Sequence, residues 1–404
     1  MDARRITRAG PTRRAILQLA AVGPVGLAHL SLATAQGAPV RVGYAIARSG
    51  ALAAGAQATQ EPNYLLWADL QNAAGGLNVA GSRRPIELIG YDDRTDVETC
   101  VRTYEKLMGS DKVDLVLPPY GSNANFAVAP LATRLGYPFL APTVLSRQLI
   151  QMKLPYYFTL IQQAEPMIGA LVALLKASGV KTAGVIYLDD LFGLESHAAL
   201  KTAAREAGIA IVEEKSFPLG VKDLSPVLRS MKDKSPDAFL GFTYPPDTIL
   251  VSKQSKEIGF NPRIFYVGVG TAFPLYRSVM GAGAEGVMGM GSWNSKSGAG
   301  AKAYFDAYVK RFGKEPDRWA SGAGWAALEI LTAAVGQAGL DRKAIRDYVA
   351  DREHDTILGK VRFNGSENVG TPGTVSQWQK GEFEVVWPRT NATAPLMAAK
   401  PAWA

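Results

Sequence analysis

Cysteine, histidine and long unbroken apolar runs are what this sequence has least of. A single cysteine, Cys100, excludes any intramolecular disulfide and any multi-cysteine zinc site. Histidine occurs three times. His29 lies in the leader described below, which leaves His197 and His354 for proton transfer or metal ligation. Neither sits in a catalytic-looking context, and His197 falls inside a predicted helix, where a solvated position is expected. No G-x-S-x-G elbow and no Walker phosphate loop is present. Gly281, Gly283 and Gly286 match G-x-G-x-x-G by letters, but a helix-like segment precedes them and a strand-like one follows. The dinucleotide motif needs the reverse order, so it is rejected. No catalytic residue, cofactor or metal is expected.

A basic block is also missing. The formal charge is +8, and the first 35 residues hold five arginines against one aspartate, which leaves +4 for the remainder. That charge is spread along the chain, which argues against nucleic acid as a partner. The 47% apolar and 20% charged content is ordinary for a soluble globular protein. At 404 residues, with about 100–200 residues per domain, two domains are expected.

The longest apolar stretch, 15–32, follows Arg4, Arg5, Arg8, Arg13 and Arg14 and is broken by Gly23, Pro24, Gly26 and His29. A permanent membrane span is not expected from it. Ala33-Thr34-Ala35 is a small-x-small site with cleavage expected before Gln36, so residues 1–35 read as a signal peptide. Thr12-Arg13-Arg14-Ala15-Ile16-Leu17 is similar to a twin-arginine signal; an arginine-rich Sec leader is the alternative. No cysteine stands at the cleavage site, which excludes a lipoprotein. A soluble periplasmic protein is expected.

From Pro39 onward, apolar runs alternate with helical periodicity, the pattern of parallel α/β layers. Strands are predicted over 40–46, 86–91, 115–117, 138–141, 183–187, 209–213, 237–241 and 263–267. Thr95-x-x-Glu98 reads as a capping box for a helix burying Val97, Val101, Tyr104 and Met108. The 305–349 region is mostly helical, and a β-pair is predicted about Lys380-Gly381. The tail 388–404 is expected to be an extended surface segment. Asp92-Asp93 and Asp189-Asp190 each follow a strand and read as turn or N-cap residues.

The stretch 115–123, LVLPPYGSN, runs from strand to polar turn to helix. Open α/β sheets bind ligands at such carboxyl-edge loops, where free backbone N–H groups and hydroxyls converge. Comparable strand-end loops stand at Pro142-Thr143, Asp190-Leu191-Phe192 and Thr243-Tyr244.

Several segments then line up in order: Ala73-Ala74-Gly75-Gly76-Leu77, Ile89-Gly90-Tyr91-Asp92-Asp93, Tyr120-Gly121-Ser122, Asp189-Asp190-Leu191-Phe192-Gly193 and Pro236-Asp237-Ala238-Phe239. With them, residues 40–387 resemble the branched-chain amino acid and amide class of periplasmic substrate-binding proteins, the leucine/isoleucine/valine-binding-like family that feeds ABC importers. The resemblance implies a type I periplasmic-binding-protein fold, two doubly wound parallel-sheet lobes joined by a three-segment hinge. The crossings are placed near 158–163, 289–295 and 363–366. Lobe 1 is then 39–160 plus 293–362, and lobe 2 is 161–292 plus 363–387.

The same resemblance implies the binding positions. Ser122, with the neighbouring Gly121, falls where a hydroxyl and backbone N–H groups hold a ligand carboxylate, and Thr143 completes that anion site from the next loop. Phe192 replaces a frequent tyrosine, and Tyr244 keeps the aromatic at its position. Val269 lies close to where amino-acid binders carry an acid for the ligand's ammonium group, with Thr271 two residues on. Burying an ammonium without a counter-charge costs several kcal/mol, so free α-amino acids are disfavoured. Tyr120 is a further aromatic wall, and Arg48 is a candidate carboxylate partner or a solvated surface residue. The implied function is solute capture for a membrane ABC permease and its ATPase, by a monomer that performs no covalent chemistry. A small aromatic or apolar carboxylate is the favoured ligand. A sensory subunit, or a binder of a branched-chain amino acid or amide, is the alternative.

Overall fold

The structure, a computed structural model, describes residues 37–404. The predicted leader and its cleavage site lie outside those residues.

The strand Val40–Ile46 sits at the centre of a three-stranded parallel sheet, between Ile86–Asp92 and Leu115–Val116. Its register runs from Val40 opposite Ile86 to Ile46 opposite Asp92, which aligns the carboxyl ends that carry the polar loops. The same half holds a five-stranded sheet in the order Phe139–Ala141, Tyr157–Thr159, Glu367–Asn368, Gly359–Asn364, Glu353–Thr356, with the first two parallel and the last two antiparallel. Helices Glu61–Ala73, Ala299–Phe312 and Ala320–Ala338 pack on this half. The long helix Ala320–Ala338 is alanine- and glycine-rich and buried on most sides, so its neighbours approach closely.

The second half is a seven-stranded sheet ordered Glu382–Trp387, Val375–Gln379, Met288–Gly289, Ile264–Val267, Ala238–Phe242, Thr182–Leu188, Ala210–Phe217. Its last five strands are parallel, and the first two form the antiparallel hairpin predicted about Lys380-Gly381. Ala238–Phe242 and Ile264–Val267 are buried at every residue, which is why they read as unbroken apolar runs rather than alternating ones. Among the described residues, no helix is long and apolar enough to cross a membrane.

The chain passes between the halves three times, after Thr159, after Gly289 and after Asn368. The last passage comes later than the expected 363–366. Phe363 is buried edge-on against Phe158, with ring centroids 5.0 Å apart, which keeps it in the first half, and the strand Glu367–Asn368 follows it there.

Four further details differ from expectation. The helix Val97–Gly109 is capped by Asp96, whose Oδ1 accepts from Thr99 N–H at 2.7 Å, while Thr95 sits at φ +62° outside the helix. A short hairpin, Leu77–Val79 with Ser82–Arg84, was not foreseen. His197 is buried: its ring stacks on Tyr187 at 3.9 Å, and Nε2 lies 2.8 Å from Glu214. Finally, the C-terminal tail is the irregular, largely exposed segment expected, but it is also docked against the second half. Lys400 N–H donates to Arg263 O at 2.8 Å, Trp403 Nε1 to Phe260 O at 2.7 Å, and the Trp403 ring stands edge-on to Phe265.

Candidate functional site

The loop after Leu115–Val116 is held from beneath. Leu117 N–H donates to Gly43 O at 2.9 Å, and the Pro118 carbonyl accepts from Gln60 Nε2 at 2.6 Å and from the Tyr64 hydroxyl at 2.8 Å. Two consecutive prolines offer the sheet no N–H, so side chains from the neighbouring helix take the carbonyls instead. Gly121 then adopts φ +89°, ψ 157°, a region open essentially to glycine alone, and caps the helix Ser122–Arg134.

Hydroxyls join this loop to the next strand-end loop. Gly121 N–H donates to Thr143 Oγ1 at 3.3 Å, and Thr143 Oγ1 donates to Gln60 Oε1 at 2.8 Å. Ser122 Oγ donates to Leu145 O and accepts from Leu145 N–H, both at 3.2 Å.

The facing wall comes from the seven-stranded half. Tyr244 stands two residues past the strand Ala238–Phe242 and caps the helix Pro245–Glu257; Phe192 lies in the first turn of the helix Leu191–Ala207. The Tyr244 ring lies 5.3 Å from Phe192 and 6.3 Å from Tyr120, so the three aromatics form one cluster across the two halves. Tyr120 packs so closely on Gly55 that a Cβ there would collide with its ring.

Beside that cluster is a cavity of about 210 Å³, lined from one half by Leu52, Thr95, Tyr120, Ser122 and Asn123 and from the other by Asp190, Leu219 and Tyr244. Asp93, Asp96 and Asp189 line it too, making four aspartates with Asp190, and among the described residues no lysine, arginine or histidine does. Asp190 caps the helix Leu191–Ala207 by accepting from Gly193 N–H at 2.9 Å. Burial raises the pKa of its carboxyl, against the opposing pull of that N–H and of the Tyr244 hydroxyl. Burial likewise pushes Asp93 up to about 6, although Thr95 N–H donates to it. Asp247, in the first turn after Tyr244, is 2% exposed and is raised to about 6 by burial and then by the charge of Asp190. A larger cavity of about 680 Å³, lined by Ala54, Gln57, Pro245 and Phe273 among others, touches none of the 120–124 loop.

The structure therefore brings Tyr120, Ser122 and Tyr244 to one cavity, with Gly121 and Phe192 directly behind. Thr143 supports the loop from below. Val269 and Thr271 sit in the buried turn Val269–Ala272, outside both cavities. Thr271 Oγ1 donates to Val267 O at 2.6 Å, and the Thr271 carbonyl accepts from Trp378 Nε1 at 2.8 Å. Arg48 lies apart, its guanidinium 2.6 Å from Glu61 and also bonded to Gly90 O and the Tyr44 hydroxyl. Leu52 and Leu219 carried no signal in the sequence beyond their nearness to strand ends, Thr95 carried only that of a helix cap, and Asn123 only its place at the end of the 115–123 stretch. Asp189-Asp190 did carry one. Its N-cap role is correct for Asp190, and the same carboxylate also faces the cavity.

Comparisons with known proteins bear on this arrangement. A family model described as "Periplasmic binding protein" matches residues 39–382. The Leu/Ile/Val-binding protein homolog 8 of Brucella abortus is 23% identical over 355 residues, covering 82% of this chain and 86% of that one. Among solved structures, the branched-chain amino acid substrate-binding protein LivJ of Streptococcus pneumoniae, in complex with isoleucine, superposes with a TM-score of 0.75. It is 23% identical, over 86% of this chain and 99% of that one. A solute-binding protein of an R. palustris ABC transporter, in complex with benzoate, superposes with a TM-score of 0.76 at 18% identity, over 90% and 98% of the two chains.

Proposed function

The chain belongs to the periplasmic binding protein family, and from that premise we propose that it captures a small carboxylate between its halves and delivers it to a membrane ABC permease and its ATPase. An aromatic or apolar organic acid is favoured over a free α-amino acid. The observation that carries this reading is the start of the helix Ser122–Arg134 opening on the cavity beside Tyr120 and Tyr244. The first N–H groups of that helix favour an anion, which the Ser122 hydroxyl joins only by giving up its bond to Leu145 O, and the aromatic rings favour a flat or apolar body. The cavity of about 210 Å³ suits a single ring or a short chain.

One observation favours a second reading, a branched-chain amino acid or amide. Asp189 and Asp190 reach the cavity and could receive an ammonium or amide N–H from the side opposite Ser122. Calorimetry against aromatic acids, aliphatic acids, their amides, and leucine, isoleucine and valine separates the two. Leucine binding tighter than every non-amino acid overturns the first reading in favour of the second.

A further inference from the structure

The helix Leu191–Ala207 does more than present Phe192. One turn further on, Glu195 reaches out of the seven-stranded half to the segment that follows the strand Phe139–Ala141 in the other half. Its Oε1 accepts from the Ser146 hydroxyl at 3.2 Å and from Gln148 N–H at 3.3 Å, and its Oε2 accepts from Arg147 N–H. Three donors from one half thus converge on a single carboxylate of the other.

Those donors are otherwise prepared for it. Ser146 Oγ also accepts from Leu149 N–H at 3.1 Å, which caps the short helix Arg147–Gln151 from within the segment, and Ser146 N–H is bonded to Gln163 Oε1, just past the first passage between the halves, at 2.9 Å. Arg147 adds contacts with Glu165, 3.5 Å away, and Glu367, 3.1 Å away. Its side chain is half in solvent, so these ion pairs contribute little beside the backbone bonds. Charge-assisted bonds from backbone N–H groups to a carboxylate are the stronger class.

We propose that Glu195 is a positioning residue that latches the two halves in the closed arrangement. Phe192 and Glu195 share one face of one helix, three residues apart, so a ligand that packs against the Phe192–Tyr244 wall and the latch at Ser146–Gln148 favour the same rigid-body position. The latch rests on the reading of the cleft as a closing site, but it acts without ligand and is tested without one.

The test uses the ligand-free chain with spin labels at Arg102→Cys, on the helix Val97–Gly109 of the first half, and Lys222→Cys, in the segment after the strand Ala210–Phe217 of the second, both exposed positions. Cys100 is buried and stays unlabelled. Electron–electron double resonance then gives the distribution of distances between the halves. The labelled parent shows a short-distance population; in Glu195→Ala the ratio of short to long falls about tenfold. Glu195→Gln, which keeps an acceptor oxygen and loses the charge, falls between the two. Melting curves report whether each variant stays folded. An absent short population in the parent, or distributions unchanged in both variants, overturns the latch and leaves the ligand reading to its own calorimetric test.

Discussion

Tyr244, from the seven-stranded half, places its ring 6.3 Å from that of Tyr120, from the other half, and its hydroxyl lies near both Gly121 and Asp190. A single side chain therefore touches the anion loop, the aromatic wall and the acid facing them. Tyr244→Ala removes the wall and is expected to weaken binding of the tightest panel ligand by roughly 10- to 100-fold, with Tyr244→Phe losing far less. Calorimetric titration of both variants checks this. Equal losses in both would assign the effect to the hydroxyl rather than the ring.

Gly121 is fixed by conformation, because its nearest would-be Cβ contact is 3.4 Å, from Leu52, and no atom blocks a side chain. At φ +89°, ψ 157°, Gly121→Ala is expected to cost about 1–3 kcal/mol of stability. Urea unfolding measures it; an unchanged midpoint contradicts the assigned backbone geometry.

Asp247 gives stability a pH dependence of definite sign. Its carboxyl moves from 3.8 to about 6 on folding, so the folded chain binds the extra proton between those values. Its contribution therefore becomes less favourable as pH rises from about 4 to about 6, by roughly 2–3 kcal/mol in all. Asp93 and Asp317, also raised to about 6, act in the same direction. Asp247→Asn removes one such term, so the stability of the variant relative to the parent should rise between pH 4 and pH 7. A flat difference across that range contradicts the placement of Asp247.

The tail is load-carrying in the same half. Trp403 covers Phe265 and bonds to Phe260 O, so Trp403→Ala is expected to lower stability by about 1–3 kcal/mol without altering ligand affinity. Thermal melting and calorimetry together check both parts.

Much of this was legible in the sequence, because parallel sheets place their loops at predictable strand ends. LVLPPYGSN announced a strand, a stop, a turn and a helix, and Ser122 and Tyr244 do reach one cavity. What escaped was set by contacts distant in sequence. Arg48 is taken by Glu61, thirteen residues on, and no local pattern distinguishes that from a cleft-facing arginine. His197 is buried because Tyr187, on the preceding strand, offers a ring to stack on. Thr95 reads as a cap, but Asp96 beside it makes the bond, a one-residue choice that depends on how the loop leaves Asp93. The tail's Ala- and Pro-rich composition predicts an extended surface segment, and what it does not reveal is that Trp403 and Met397 anchor that segment to the second half.

The central claim is that the start of the helix Ser122–Arg134 receives a carboxylate. Paired titrations of the chain with benzoate and with benzamide, and with leucine as the third arm, test it most directly. The account predicts that benzoate binds at least tenfold tighter than its neutral amide, and that Ser122→Ala narrows the difference without abolishing it. Benzamide binding as tightly as benzoate, or leucine binding tightest of the three, would contradict it.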